Sequence, residues 1–290
     1  MVEDFDAPDA AATAAAAATA AAAAGEAAPT EVSPLHQPLT PQLEKALIES
    51  ELETPGFTLD TPALVCRWRL KNAALVLPGR TMRAFGERHM PGGERISPSL
   101  VAWAKQHIEW TLTPAAAPYE DGVLMVVVDA SGKAAMTSGP YVPLEACHPR
   151  DLLARAREAA IEAQTTQVAP EVLATFDGVT LTVAASEHHA RGAVTTFTVQ
   201  LLQTMGVAVC YRPQLLGDVT QACPGDIPAQ SKLFAAGALE PRNLVLLSDE
   251  HGPVAPELTS GYINPHVARV IAAYATIAAR DAKQQAQRRR

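Results

Sequence analysis

Apolar residues along this chain recur with two spacings, and the changes between them divide it into elements. Thr40-Pro41 has the form of a helix cap, with proline at the first helical position, and predicts a short helix over Gln42–Ser50. Ala63–Leu70 and Ala73–Leu77 are strand-like and predict a hairpin turning at Lys71-Asn72. Arg80, Arg83, Arg88 and His89 then crowd a polar segment ending in Pro91-Gly92-Gly93. That segment reads as a contact for an acidic ligand or as a solvated face paired with acids such as Glu87 and Glu94. Ser97-Pro98 opens a helix with Leu100, Val101, Ala104 and Ile108 on its apolar side, which leaves Lys105 pointing outward. Pro114 to Pro118 reads as a linker. Gly122–Leu144 is the clearest hairpin, with a central strand at Leu124–Val128 and a tight turn carrying Lys133. Arg150–Gln164 predicts a helix that turns Leu152, Leu153, Ala156 and Ile161 inward.

The stretch DGVTLTVAASEHHARGAVTTFTVQLLQTMGVAVCYRP, residues 177–213, organises the rest. Asp177-Gly178 is a turn, and Val179–Ala184 alternates Val and Leu with Thr as a strand with one buried face does. A polar elbow, Ser186 to Gly192, follows. From Val194 the spacing becomes helical, with Val194, Phe197, Leu201 and Met205 on one side; Gly206 stops the helix and Val207–Tyr211 reads as a second strand. The first N–H groups of a helix have no internal partner and lie at the positive end of its dipole. Gly192 lets an anion approach the backbone, Thr195 and Thr196 supply hydroxyls, and Arg191 adds charge. The elbow therefore reads either as a seat for a phosphate or carboxylate, or as a plain capped helix start. Beyond it, Lys232–Leu239 suggests a helical turn or two, Asn243–Ser248 a strand, Asp249-Glu250-His251-Gly252 a turn, and Asn264-Pro265 the cap of a final helix with Val267, Val270, Ile271 and Tyr274 on its buried stripe.

Composition narrows the classes. The chain has 290 residues, 48% of them hydrophobic but only 5% aromatic, so its core is aliphatic. The net charge of −8 argues against binding nucleic acid through a basic face. Residues 1–34 form an Ala/Thr-rich tract with acidic residues at its front, expected to be disordered; it has the form of neither a signal peptide nor a membrane span, which points to a cytoplasmic protein. The four cysteines are scattered with no CxxC pair, Cys66 and Cys210 are expected to be buried thiols, and no metal site is expected at Glu187-His188-His189. Neither a P-loop nor a G-x-S-x-G elbow occurs. The expected fold is α/β or α+β, with two sheet-containing lobes, residues 40–145 and 146–290, behind the N-terminal tract.

Gly192-Ala-Val-Thr195-Thr196, the helix after it, and Gly-Val-Ala-Val resemble the segment of class IV aminotransferases that reads Gly-Ile-Thr-Arg, helix, Gly-hydrophobic-x-Val. The preceding DGVTLTVAAS resembles that family's strand before the turn, and KLFAAGALEPRNLVLLSDEHGPV its last hairpin region. The family includes branched-chain and D-amino-acid aminotransferases and aminodeoxychorismate lyase. The resemblance covers about a third of the chain. It implies a dimeric small-molecule enzyme using pyridoxal phosphate, with the phosphate held by Arg191, Gly192, Val194, Thr195 and Thr196. The sequence departs from the pattern at Thr195-Thr196, where the family has Thr-Arg, and the family's lysine and glutamate signatures are not recognisable upstream.

Such an enzyme needs a lysine with a deprotonated amine. Lys133 precedes Thr195 at a separation the family accepts but sits at a hairpin tip. Lys105 suits a second, mutually exclusive alignment in which Met136 replaces the family's glutamate. Two functions follow: a metabolic enzyme acting on an amino-acid-type substrate, or a non-catalytic ligand- or partner-binding protein of similar fold that has lost the cofactor.

Overall fold

The computed structural model describes residues 58–112, 119, 121–145, 147–217, 240–258 and 261–288. The N-terminal tract and the segments predicted at Gln42–Ser50, Pro114–Pro118 and Lys232–Leu239 lie outside them.

The first sheet is an antiparallel meander with a short edge. Strand β1 (Pro62–Lys71) turns through Asn72 and Ala73, both at positive φ, into β2 (Ala74–Leu75). β3 (Asp121–Asp129) and β4 (Ala134–Pro140) form the predicted hairpin, and the strand order is β2-β1-β3-β4. Alternation along β1 sends Leu64, Cys66, Trp68 and Leu70 into a core shared with Leu124, Val126 and Val128 of β3. Two helices cover that face. One, α1 (Pro78–Gly86), lies where only a polar segment was expected; Thr81, Met82, Ala84 and Phe85 make a narrow buried stripe that its arginines obscure. The other, α2 (Pro98–Thr111), starts at Ser97, whose hydroxyl accepts the Leu100 N–H at 3.2 Å. Phe85 meets Trp68 edge-on at 5.5 Å between ring centres.

Helix α3 (Pro149–Thr166) leads to the second sheet and buries Leu152, Leu153 and Ala156 as expected, but Ile161 is 65% exposed. β5 (Val168–Ala169) and β6 (Glu171–Phe176) follow, and all six residues of β6 are buried. Then come β7 (Thr180–Val183), β8 (Ala190–Arg191), α4 (Ala193–Thr204) and β9 (Ala208–Tyr211). A turn of 3-10 helix precedes β10 (Leu244–Ser248), which pairs with β11 (Gly252–Val254). The order is β11-β10-β6-β7-β9, antiparallel except for β7 beside β9, and β5 pairs with β8 as a separate parallel ribbon. Cys210 lies exposed on the edge strand β9, not buried, whereas Cys66 is buried as expected.

The last helix, α5 (Pro265–Arg288), is started by Asn264, whose side chain accepts the His266 N–H at 2.9 Å. It packs Val267 and Val270 into the core of the second sheet. It also reaches the first sheet: Asp281 accepts the Leu77 N–H at 3.0 Å, and Gln285 bonds both the N–H and the carbonyl of Leu75 at 3.3 and 2.8 Å. Among the described residues the fold is thus α/β, with two main sheets and the two-stranded β5–β8 ribbon. Among the described residues no helix is long and apolar enough to cross a membrane.

Candidate functional site

The elbow has the predicted form: strand β7, a polar turn, and α4 beginning immediately after Gly192. The β5–β8 ribbon holds its entry, with Ala169 opposite Arg191. Gly206, at φ 80°, ends α4 as a C-cap glycine does. Val194 and Thr195 are buried, and the Thr196 hydroxyl points back to the Arg191 carbonyl at 3.5 Å. Arg191 turns to its own loop: its guanidinium donates to the Glu187 carbonyl at 3.3 Å and lies 4.1 Å from the centre of the Tyr211 ring. Its Nε is buried without a hydrogen-bond partner among the described residues.

A carboxylate does sit at the start of α4, and it belongs to the chain itself. Asp249, in the turn between β10 and β11, accepts the Val194 N–H through Oδ1 at 2.9 Å across 55 residues of sequence. The Ala193 N–H adds to the same interaction. Gly192 is what lets this carboxylate in. Its φ of −56° is open to any residue, but a Cβ there would lie 2.7 and 2.9 Å from the two Asp249 oxygens. Burial pushes the Asp249 carboxyl up to about 6, against the pull of the Val194 N–H and the buried Arg88 guanidinium. The backbone of Asp249 is committed as well. Its N–H donates to the Pro170 carbonyl, and its carbonyl accepts the Arg69 N–H of β1, both at 3.0 Å. One residue therefore ties the second sheet to the helix start and to the edge of the first sheet.

Other polar groups gather around this joint. Arg155 makes a two-pronged pair with Glu171 at 2.9 and 2.7 Å, and the Ser248 hydroxyl donates to Glu171 at 2.6 Å. The Arg69 guanidinium lies 3.2 Å from the centre of the Tyr141 ring and 3.3 Å from Asp121. The Tyr141 hydroxyl is 3.4 Å from His251 Nδ1. Burial also raises the Glu250 carboxyl, opposed by Arg67 at 3.9 Å. Gly252, at φ 78°, closes the turn against the Tyr274 ring, which a Cβ would approach to 2.6 Å. Among the described residues no three His, Cys, Asp or Glu side chains cluster to hold a metal ion.

The two candidate lysines stand elsewhere. Lys133 is exposed at the β3–β4 turn and donates to the Thr58 carbonyl at 3.4 Å. Lys105 is exposed on α2, where it lines a cleft of about 580 Å³ with Arg95 and Val101, and another of about 460 Å³ with Met82, Ile108 and Arg288. No elbow residue lines either cleft. At the elbow the Val194 and Ala193 N–H groups already serve the Asp249 carboxylate, and no described lysine is buried beside them; Lys45 and Lys232 lie outside the described residues. Sequence reasoning missed Asp249, Arg155 and Glu171. Asp249 was legible only as a turn residue, because its partner lies in a distant segment.

No family model matches the chain, and none of the curated proteins compared with it is similar in sequence. Two similar solved structures are of the T.th. branched-chain amino acid aminotransferase, one of them complexed with 4-methylvaleric acid. They are 10% and 11% identical, with 74% of this chain covering 84% and 83% of theirs, and TM-scores of 0.40. A third is a hypothetical aminotransferase from Mycobacterium tuberculosis in its PLP-bound form, 11% identical, with 78% of this chain covering 94% of it and a TM-score of 0.38. At that identity and score the likeness is one of coarse α/β arrangement and assigns no activity.

Proposed function

We propose that this protein is a non-catalytic ligand- or partner-binding protein whose segment 177–213 resembles the cofactor-binding segment of class IV aminotransferases. One observation carries the reading. A lysine that forms a covalent link to pyridoxal phosphate must be desolvated enough to lose its proton. Of the six lysines in the chain, the four described are Lys71, Lys105, Lys133 and Lys283, and none is buried; Lys71 is paired with Asp121 at 2.7 Å. On this reading a small-molecule ligand is taken at the clefts flanking α2, to both of which Lys105 offers an accessible cation.

The rival reading is a homodimeric, cytoplasmic pyridoxal-phosphate enzyme acting on an amino-acid-type substrate, its phosphate held by Arg191, Gly192, Val194, Thr195 and Thr196. The order β7, elbow, α4, β9 favours it, with Lys133 or Lys105 as the candidate amine and Lys45 and Lys232 outside the described residues. Incubation with pyridoxal phosphate, gel filtration and borohydride treatment decide between the two. The expected outcome is a protein that emerges colourless and unmodified. A visible absorbance that borohydride bleaches, with peptide mapping to one lysine, would restore the enzyme.

A further inference from the structure

We propose, resting on the reading above that a ligand is taken beside α2, that the cleft between β2, α1, α2 and α5 binds a singly charged carboxylate with an apolar body, of the fatty-acid kind. The cleft measures about 460 Å³, within the range of small-molecule sites. Its floor is apolar and belongs to the core of the first sheet: Leu75, Met82 and Ile108 line it and are buried. The amide that could interrupt that floor is spent. Gln285 uses both of its ends on the Leu75 backbone, accepting the N–H at 3.3 Å and donating to the carbonyl at 2.8 Å. The body of a ligand there meets hydrocarbon and no open amide.

Charge enters from two helices. Lys105, Ile108 and Glu109 share one face of α2, at spacings of three and four residues. Arg288 comes from the last turn of α5. Lys105 and Arg288 are exposed, and neither pairs with a carboxylate among the described residues; Glu109 is likewise without an ion pair there. Two cations against one carboxylate leave one net positive charge, which suits a carboxylate better than a doubly charged phosphate. The arginine fork takes a carboxylate through two parallel N–H donors, and the lysine adds a point charge. The other cleft beside α2 lacks this pair: its second cation, Arg95, already serves Glu87 and the Gly86 carbonyl.

Calorimetric titration of the full-length protein with sodium octanoate tests the site. 1-Octanol and octylammonium serve as probes of the same length that carry no charge or the opposite one. Expected is saturable binding of octanoate, with the other two about tenfold weaker. Lys105→Ala and Arg288→Ala should each weaken octanoate about two- to fivefold, with a smaller effect in high salt, because both groups are exposed. Glu109→Gln should tighten it by removing the opposing charge. All three positions are on the surface, and an unchanged unfolding temperature without ligand checks that each variant folds. The proposal is overturned if octanoate shows no saturable binding, if 1-octanol or octylammonium binds as tightly, or if neither cation variant weakens it. Failure here is distinct from failure of the functional reading. A protein that stays unmodified by borohydride and takes up no octanoate remains a binding protein without this ligand. A bleachable cofactor linkage removes that reading, and the octanoate series still decides the cleft by itself.

Discussion

At Asp249 two opposing energies meet. Its oxygens are the acceptors for an otherwise orphaned N–H, and a lost partner there costs about 1–3 kcal/mol. Yet keeping a charge in that place is expensive, and its carboxyl is accordingly pushed up to about 6. A carboxyl that ionises at about 6 when folded and near ~3.9 when unfolded binds its proton more tightly in the native state. The contribution of this group to stability is therefore full below about pH 4, falls as pH rises to about 6, and is constant above that. Asp249→Asn keeps a carbonyl oxygen for Val194 and removes the ionisation. Denaturation series should show the variant gaining on wild type between about pH 4 and 6, to an advantage of up to about 3 kcal/mol at neutral pH. A variant less stable than wild type at pH 7 would mean that attraction to the helix end and Arg88 outweighs the cost of burial.

At the scale of elements, Gly206 offers a test free of packing effects. It ends α4 at φ 80°, and a Cβ there would meet nothing within 4 Å. Gly206→Ala should cost about 1–2 kcal/mol through backbone strain alone, read by chemical denaturation with an unchanged slope. Such local geometry is what a sequence displays best. The β1–β2 and β3–β4 hairpins, α2, α3, α4 and the start of α5 were all legible because turn residues, caps and apolar spacing lie within a few positions of each other. Where the deciding partner is remote, reading failed. β6 was not recognised: Glu171 looks like a surface residue until Arg155 and Ser248 neutralise it. α1 was read only as a polar segment because Arg80 and Arg83 mask its buried stripe, and Arg88, just beyond it, is charged yet buried against Glu162. Cys210 was expected inside because its strand is apolar, but β9 is the edge of its sheet. The elbow was legible as a polar turn into a helix start, open to an anion or to a cap, but not the Asp249 carboxylate that meets it from 55 residues away.

At the scale of the molecule, two of the ties between the sheets among the described residues rest on the backbone. The turn at Asp249 ties to the edge of β1, and α5 crosses from the core of the second sheet to the backbone of Leu75 and Leu77. Leu77 sits in the left-handed region at φ 54°, and its N–H is turned to the buried Asp281 carboxylate. At α5 the joining groups are backbone N–H and carbonyl groups answered by side chains from far along the chain, and at Asp249 the tie is backbone to backbone. That arrangement makes the second sheet and α5 necessary to the edge of the first.

The cysteines give this architecture a clock. Cys66 lies in the middle of β1, and burial pushes its thiol up to about 11, whereas Cys210 is exposed at an edge. A thiolate-selective alkylating reagent attacks only what is open and ionised. Cys210 should be labelled at once, and Cys66 only when β1 separates from β3, so its rate measures how often the first sheet opens. Timed alkylation read by peptide mass should give that order in wild type. In Asp249→Gly, where the turn that holds β1 loses its side-chain anchor on α4, Cys66 should be labelled faster.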